Sequence, residues 1–192
     1  MKNTISLFQN KPNYIKKVSD DPIINITGLV GSGKTTLANT YRESDRYLIV
    51  SLDTLFGSTR NSTTYSIELR KMLEAKYGSL DHDHFEEYYF MIISYFLEHY
   101  PDYHLVLEGP QIHQNLMPLN LKGTIIVVRT SGWTSFRRAV KRDIEYQKHR
   151  LEMKEITKKQ YQKEKKYVKK KRFHQMHDRK RINLFIKKLQ AL

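Results

Sequence analysis

The chain has 192 residues, enough for one domain with a real core, and 39% hydrophobic and 11% aromatic content marks a folding sequence rather than a disordered one. No apolar run reaches the length of a membrane span, and the first residues lack the apolar stretch and cleavage site of a signal peptide, so a cytoplasmic protein is expected. Cys is absent, which excludes disulfide frameworks, thiolate zinc sites and cysteine nucleophiles and fits a reducing compartment.

The net charge of +14 is unevenly spread. Residues 1–128 carry 12 Lys and Arg against 14 Asp and Glu, whereas residues 129–192 carry 22 against 6. The first two-thirds therefore reads as an ordinary globular sequence and the last third as a basic arm, an asymmetry that suggests a polyanionic partner.

In chain order, residues 1–20 read as an N-terminal extension. Residues 23–27 are β-branched and bounded by Pro22 and Gly28, which predicts a buried strand. A helix is expected over 35–42 and a second strand over 47–52, interrupted by Asp53. Ile67, Leu69, Met72 and Leu73 fall near helical spacing and predict a helix over 66–77, closed by Gly78. The apolar segment 85–100 stops before Pro101 and reads as a core-facing helix. Strands follow at 104–108, ending in Glu108, and at 124–128, ending before Arg129. From Trp133 onward the sequence is helical and polar, with no Gly or Pro to break it.

Alternating strands and helices indicate an α/β fold with a mainly parallel sheet and helices on both faces. Ligands of such sheets bind beyond the carboxyl ends of the strands. Gly28, Asp53, Glu108 and Arg129 all fall there. The expected organisation is an extension over 1–20, a core over 21–156 and a basic helical segment over 157–192 packed on the same domain.

The decisive pattern is Gly28-Leu29-Val30-Gly31-Ser32-Gly33-Lys34-Thr35, which fits G-x-x-x-x-G-K-[ST] at every fixed position. Gly28, Gly31 and Gly33 let the loop turn with its N–H groups inward, forming an anion nest where a helix begins. Ser32 and Thr36 complete the phosphate-facing stretch, Lys34 adds a charge for the β- and γ-phosphates, and the Thr35 hydroxyl suits Mg²⁺. A dinucleotide fingerprint is disfavoured, because Thr36 stands where its third Gly belongs.

On this motif, and across roughly residues 23–143, the chain resembles P-loop kinases of the nucleotide- and nucleoside-kinase type. The resemblance implies a five-stranded parallel sheet in the order 2-3-1-4-5 and a Mg-ATP phosphotransferase. It implies that Asp53 faces the phosphate acceptor as general base or hydroxyl-orienting group. A capping role for the following segment is the alternative. Glu108 occupies the Walker-B-like position, to hold Mg²⁺ directly or through water; Asp is commoner there, and a solvent-facing strand-end carboxylate is the plain alternative. Arg137, Arg138 and Arg142 on the helix after the fourth strand are the implied lid cations, suited to a charge-dispersed transition state. Arg129 is a weaker candidate for the same work.

Two further features bear on function. Asp81-His82-Asp83-His84 contains metal-ligating residue types, but the sequence identifies no distant partner for them. His113 follows Glu108 closely. The basic arm, residues 158–172, interleaves Lys with Tyr161 and Tyr167, a composition that suits single-stranded nucleic acid or simply a solvated helix.

The expected function is transfer of the γ-phosphoryl of Mg-ATP to a nucleoside, nucleotide or related small molecule. A polynucleotide kinase using the basic arm and a nucleotide-gated binding module are the alternatives. The guanine motif of GTPases, the transporter ATPase signature and the helicase DExx strand are all absent.

Overall fold

Apolar side chains in the central strands alternate between two faces, and that alternation organises the molecule. In the computed structural model, which describes residues 5–8, 13–56, 64–78, 80, 84–175 and 178–192, the strands are β1 (Ile5–Phe8), β2 (Asn13–Lys17), β3 (Ile23–Gly28), β4 (Tyr47–Ser51), β5 (His104–Glu108) and β6 (Thr124–Arg129). Their order across the sheet is β1-β2-β6-β3-β5-β4. Strands β4, β5, β3 and β6 run parallel, and β2 pairs antiparallel with β6, completing a five-stranded, mostly parallel α/β sheet. The short β1 lies antiparallel outside β2.

Leu105 and Leu107 of β5, with Ile125 and Val127 of β6, face the larger core. The intervening Val106, Ile126 and Val128 face a smaller core with Ile26 and Ala38. This two-residue alternation is what a buried pleat requires. Helix α1 (Lys34–Thr40) covers the smaller core, which Ala38 enters. The other face carries α3 (Thr64–Tyr77), α4 (Phe85–His99) and α8 (Asp178–Gln190). In α4, Phe85, Tyr88, Ile92 and Phe96 recur at three- and four-residue intervals and are all buried. In α8, Ile182, Phe185, Ile186 and Leu189 are buried in the same core, each contributing about 1.5–3 kcal/mol. The end of the basic segment is thus anchored by an apolar stripe, while Leu184 points outward.

Two short helices adjoin the carboxyl ends of strands: α2 (Leu52–Leu55) after β4 and α5 (Gln111–Asn115) after β5. Leu52, expected to end a strand, instead opens α2, with Ser51 at its N-cap. After β6 come α6 (Gly132–Glu152) and α7 (Lys158–Gln175), which pack together. Among the described residues no helix is long and apolar enough to cross a membrane.

The family-implied order holds for the four parallel strands, but the fifth strand differs. It is not a parallel strand following β6; it is the antiparallel β2, contributed by the N-terminal segment. The physical reason is compositional. The chain after β6 is polar and Lys-rich, with no β-branched run to enter a sheet, whereas β2 supplies Ile15, which is fully buried. The uninterrupted helical character from Trp133 also resolves into three helices. The break after α6 is made without Gly or Pro: Lys154 adopts φ 59°, and Thr157 opens α7 with a capping box. Gln160 accepts from the Thr157 N–H at 2.8 Å, and the Gln160 N–H donates to the Thr157 hydroxyl at 3.2 Å.

Candidate functional site

The loop between β3 and α1 turns on glycines. Gly31 has φ +80° and Gly33 φ +101°, conformations that side chains of L-residues resist. A Cβ on Gly31 would meet the Ser135 carbonyl oxygen and lie 3.2 Å from the Ala139 nitrogen, so α6 buttresses the loop backbone directly. The Ser32 N–H closes a turn onto the Leu29 carbonyl at 3.0 Å, and the Ser32 side chain is buried.

Lys34 opens α1 and is buried, its ammonium donating to the Leu29 carbonyl at 3.0 Å. That uses one of its three N–H donors and leaves two for a ligand. Burial lowers its proton affinity, Glu108 and Asp53 oppose that effect, and Arg142 and Arg172 reinforce it. Four charged groups thus act on one ammonium.

Parallel pairing of β4 with β5 sets Ser51 opposite Glu108. Glu108 Oε1 accepts from the Ser51 hydroxyl at 3.0 Å and from the Thr35 hydroxyl at 3.2 Å. Its Oε2 is buried and, among the described residues, has no hydrogen-bond partner. Burial raises its pKa, against the favourable charge of Lys34 and the Ser51 hydrogen bond. A buried carboxylate oxygen left without a donor, beside a threonine hydroxyl, suits a hard cation that takes oxygen ligands. Mg²⁺ fits the residues present, with Thr35 and Glu108 as the groups that would hold it.

No protein-family model and no curated protein matches this chain.

Asp53 lies in the first turn of α2 and is exposed, its Oδ1 accepting from Gln111 Nε2 at 2.8 Å. Gln111 is itself 8% exposed and, among the described residues, its Oε1 has no hydrogen-bond partner. The lid candidates separate. Arg142 bonds its neighbour Asp143 at 3.2 Å, and Arg172 grips the same carboxylate from α7, its Nε 2.6 Å from Oδ2. Arg137 instead lies over the Trp133 ring at 5.2 Å, and Arg138 is exposed. Arg129 lines a shallow pocket with Thr130, Ser131 and Arg179. Thr36 is exposed on α1.

His113 is buried behind the loop, its Nδ1 2.8 Å from the Thr27 hydroxyl, which donates to the Gly109 carbonyl at 3.0 Å. The hydroxyl proton is thus committed to Gly109, so Nδ1 carries the imidazole proton and Nε2 a lone pair. Burial, followed by the charges of Lys34 and Arg181, pushes its pKa down to about 3. His113 is therefore a neutral structural support. Of the 81–84 segment only His84 lies within the described residues, and among those residues no cluster of metal-ligating side chains occurs.

The structure brings Lys34, Thr35, Asp53 and Glu108 to one end of the sheet. Sequence reasoning passed over Ser51, Gln111 and Arg172. Ser51 and Gln111 carry no periodic signal, and only their places beside Asp53 and after Glu108 mark them. Arg172 is concealed within a lysine run.

Proposed function

We propose that the protein is a P-loop phosphotransferase that moves the γ-phosphoryl group of Mg-ATP to a hydroxyl or phosphate oxygen of a nucleoside, nucleotide or related small molecule. The observation that carries this reading is the buried Glu108 carboxylate, bonded to Thr35 and Ser51, with a second oxygen in the field of Lys34 that has no partner among the described residues. A loop that merely joined strand to helix has no need of that buried charge, whose desolvation is costly.

In this reading the inward N–H groups of residues 28–36 cradle the phosphates, and the two remaining Lys34 donors engage their oxygens. Mg²⁺, when bound, neutralises charge on the phosphate oxygens. Asp53 has one oxygen fixed by Gln111, leaving Oδ2 for the acceptor. As the acceptor oxygen forms its bond to phosphorus and the bond to the bridging β–γ oxygen breaks, a hydroxyl acceptor's proton passes to Asp53, and ADP leaves. Arg142 and Arg172, organised by Asp143, supply positive charge for the transition state.

The test is incubation with γ-labelled ATP and Mg²⁺ across a panel of nucleosides, nucleoside monophosphates and 5′-hydroxyl oligonucleotides. The reading expects a labelled acceptor, lost in Lys34→Ala and reduced about 10²- to 10⁴-fold in Asp53→Asn. ATP hydrolysis with no acceptor labelled, equal in wild type and Asp53→Asn, would replace transfer with a nucleotide-gated role.

A further inference from the structure

We propose that the outward face of α7, together with an aromatic cluster it shares with α6, binds single-stranded nucleic acid. This goes beyond phosphotransfer and does not depend on it. Helix α7 carries eight Lys and one Arg against a single Glu in 18 residues. Its two faces differ sharply. Tyr161, Val168, Arg172 and Gln175 are buried or half-buried, and Arg172 is tied to Asp143 of α6. The opposite face presents Lys159, Lys163, Lys166 and Lys170, all exposed, within one stripe, and the exposed Lys171 projects from the side next to it. At about 1.5 Å rise per residue, successive lysines stand roughly 4.5–6 Å apart along most of this stripe, a row of cations for a chain of phosphates.

These charges are not neutralised from within. Among the described residues, none of the eight α7 lysines forms an ion pair, whereas lysines of α6 do, as in Lys148–Glu152 at 3.4 Å. A merely solvated helix face has no reason to exclude acidic partners so thoroughly. Repulsion among unpaired like charges costs stability unless a polyanion relieves it.

Aromatic rings flank the row. Tyr167 stands within it, 57% exposed, beside a groove of about 520 Å³ lined also by Lys170, Lys171 and His174. Asp178, at the groove's end, is already engaged by Gln114 and Arg181. Phe173, also 57% exposed, meets Phe136 edge-on at 6.4 Å, and Phe136 stacks on the exposed Trp133 at 5.2 Å and 16°. Arg137 caps that stack. Rings interleaved with cations suit unstacked bases along a phosphate chain, and a duplex, whose bases are already stacked, offers them no platform. An anionic membrane is a poorer match, because the row has no continuous apolar face to insert.

Binding of a fluorescein-labelled single strand of about 16 nucleotides, as RNA and as DNA, is followed by anisotropy without nucleoside triphosphate. With the four stripe lysines and Lys171 engaged, log–log salt dependence has a slope of about −3.5, which weakens binding about 100-fold between about 50 and 200 mM salt. Lys163→Gln/Lys166→Gln/Lys170→Gln, which preserves helix propensity, lowers the slope's magnitude by about 2. Tyr167→Ala/Phe173→Ala weakens binding about tenfold and leaves the slope unchanged. The proposal is overturned by absence of binding at about 50 mM salt, by a slope indifferent to the triple substitution, by equally tight duplex binding, or by equal affinity for phosphatidylserine vesicles. Circular dichroism of each variant establishes that α7 remains folded.

Discussion

Acidification should destabilise this protein through one buried side chain. His113 has its Nδ1 hydrogen paired with Thr27 and its Nε2 buried without a partner among the described residues. Protonation places a new N–H and a positive charge at Nε2, with no acceptor, within the field of Lys34 and Arg181. The folded-state pKa is depressed from 6.5 to about 3. Between those values the unfolded chain binds more protons than the folded one, so this stability is complete above about pH 6.5 and is lost as pH falls towards 3. At 1.36 kcal/mol per pH unit, moving from pH 7 to pH 5 removes about 2 kcal/mol. The assay is urea unfolding at both pH values for wild type and His113→Asn, which retains an N–H donor for Thr27 but does not titrate. The smaller Asn lowers stability at both pH values alike, whereas the pH 7 to pH 5 loss shrinks by about 2 kcal/mol. An equal loss in both proteins, or an imidazole titrating near pH 6.5 by NMR, would refute the reasoning.

Other perturbations follow from the same geometry. Gly31→Ala forces a Cβ against the Ser135 backbone as well as strain at φ +80°, so it should lower the thermal midpoint more than Gly33→Ala, whose Cβ meets nothing within 4 Å and which bears only the backbone cost of about 1–2 kcal/mol. Gln111→Leu frees the Asp53 carboxylate and should reduce kcat about 10- to 100-fold with KM for ATP unchanged, read by steady-state kinetics. Ile15→Ala should cost about 2–5 kcal/mol in urea unfolding, because β2 belongs to the sheet; a loss under about 0.5 kcal/mol would mean that the strand is dispensable.

The parallel core was legible because its evidence is local. Apolar runs ending in Asp53, Glu108 and Arg129 marked three strands, and the glycine spacing marked the loop. β2 was not legible, since Asn13–Lys17 contains a single buried Ile between polar residues and gains its pairing from its sheet neighbours, β6 on one side and β1 on the other. The break before α7 carried a readable signal in Thr157-x-x-Gln160, a capping box obscured by the surrounding lysines. Within the site, Thr35 and Glu108 meet across 73 residues of sequence, and Asp53 and Gln111 across 58. The first pair was foreseeable from motif chemistry. The second depends on α2 and α5 starting side by side at adjacent strand ends, which no local pattern encodes.

Phosphate binding by the loop over residues 28–36 is tested most directly by calorimetric titration of Mg-ATP into wild type and Lys34→Ala at one salt concentration. Saturable one-to-one binding by wild type, weakened at least about tenfold in a folded Lys34→Ala, is the expected result: the substitution removes the buried ammonium and its two free donors. Absence of binding by wild type, or equal affinity in both proteins, would contradict the account.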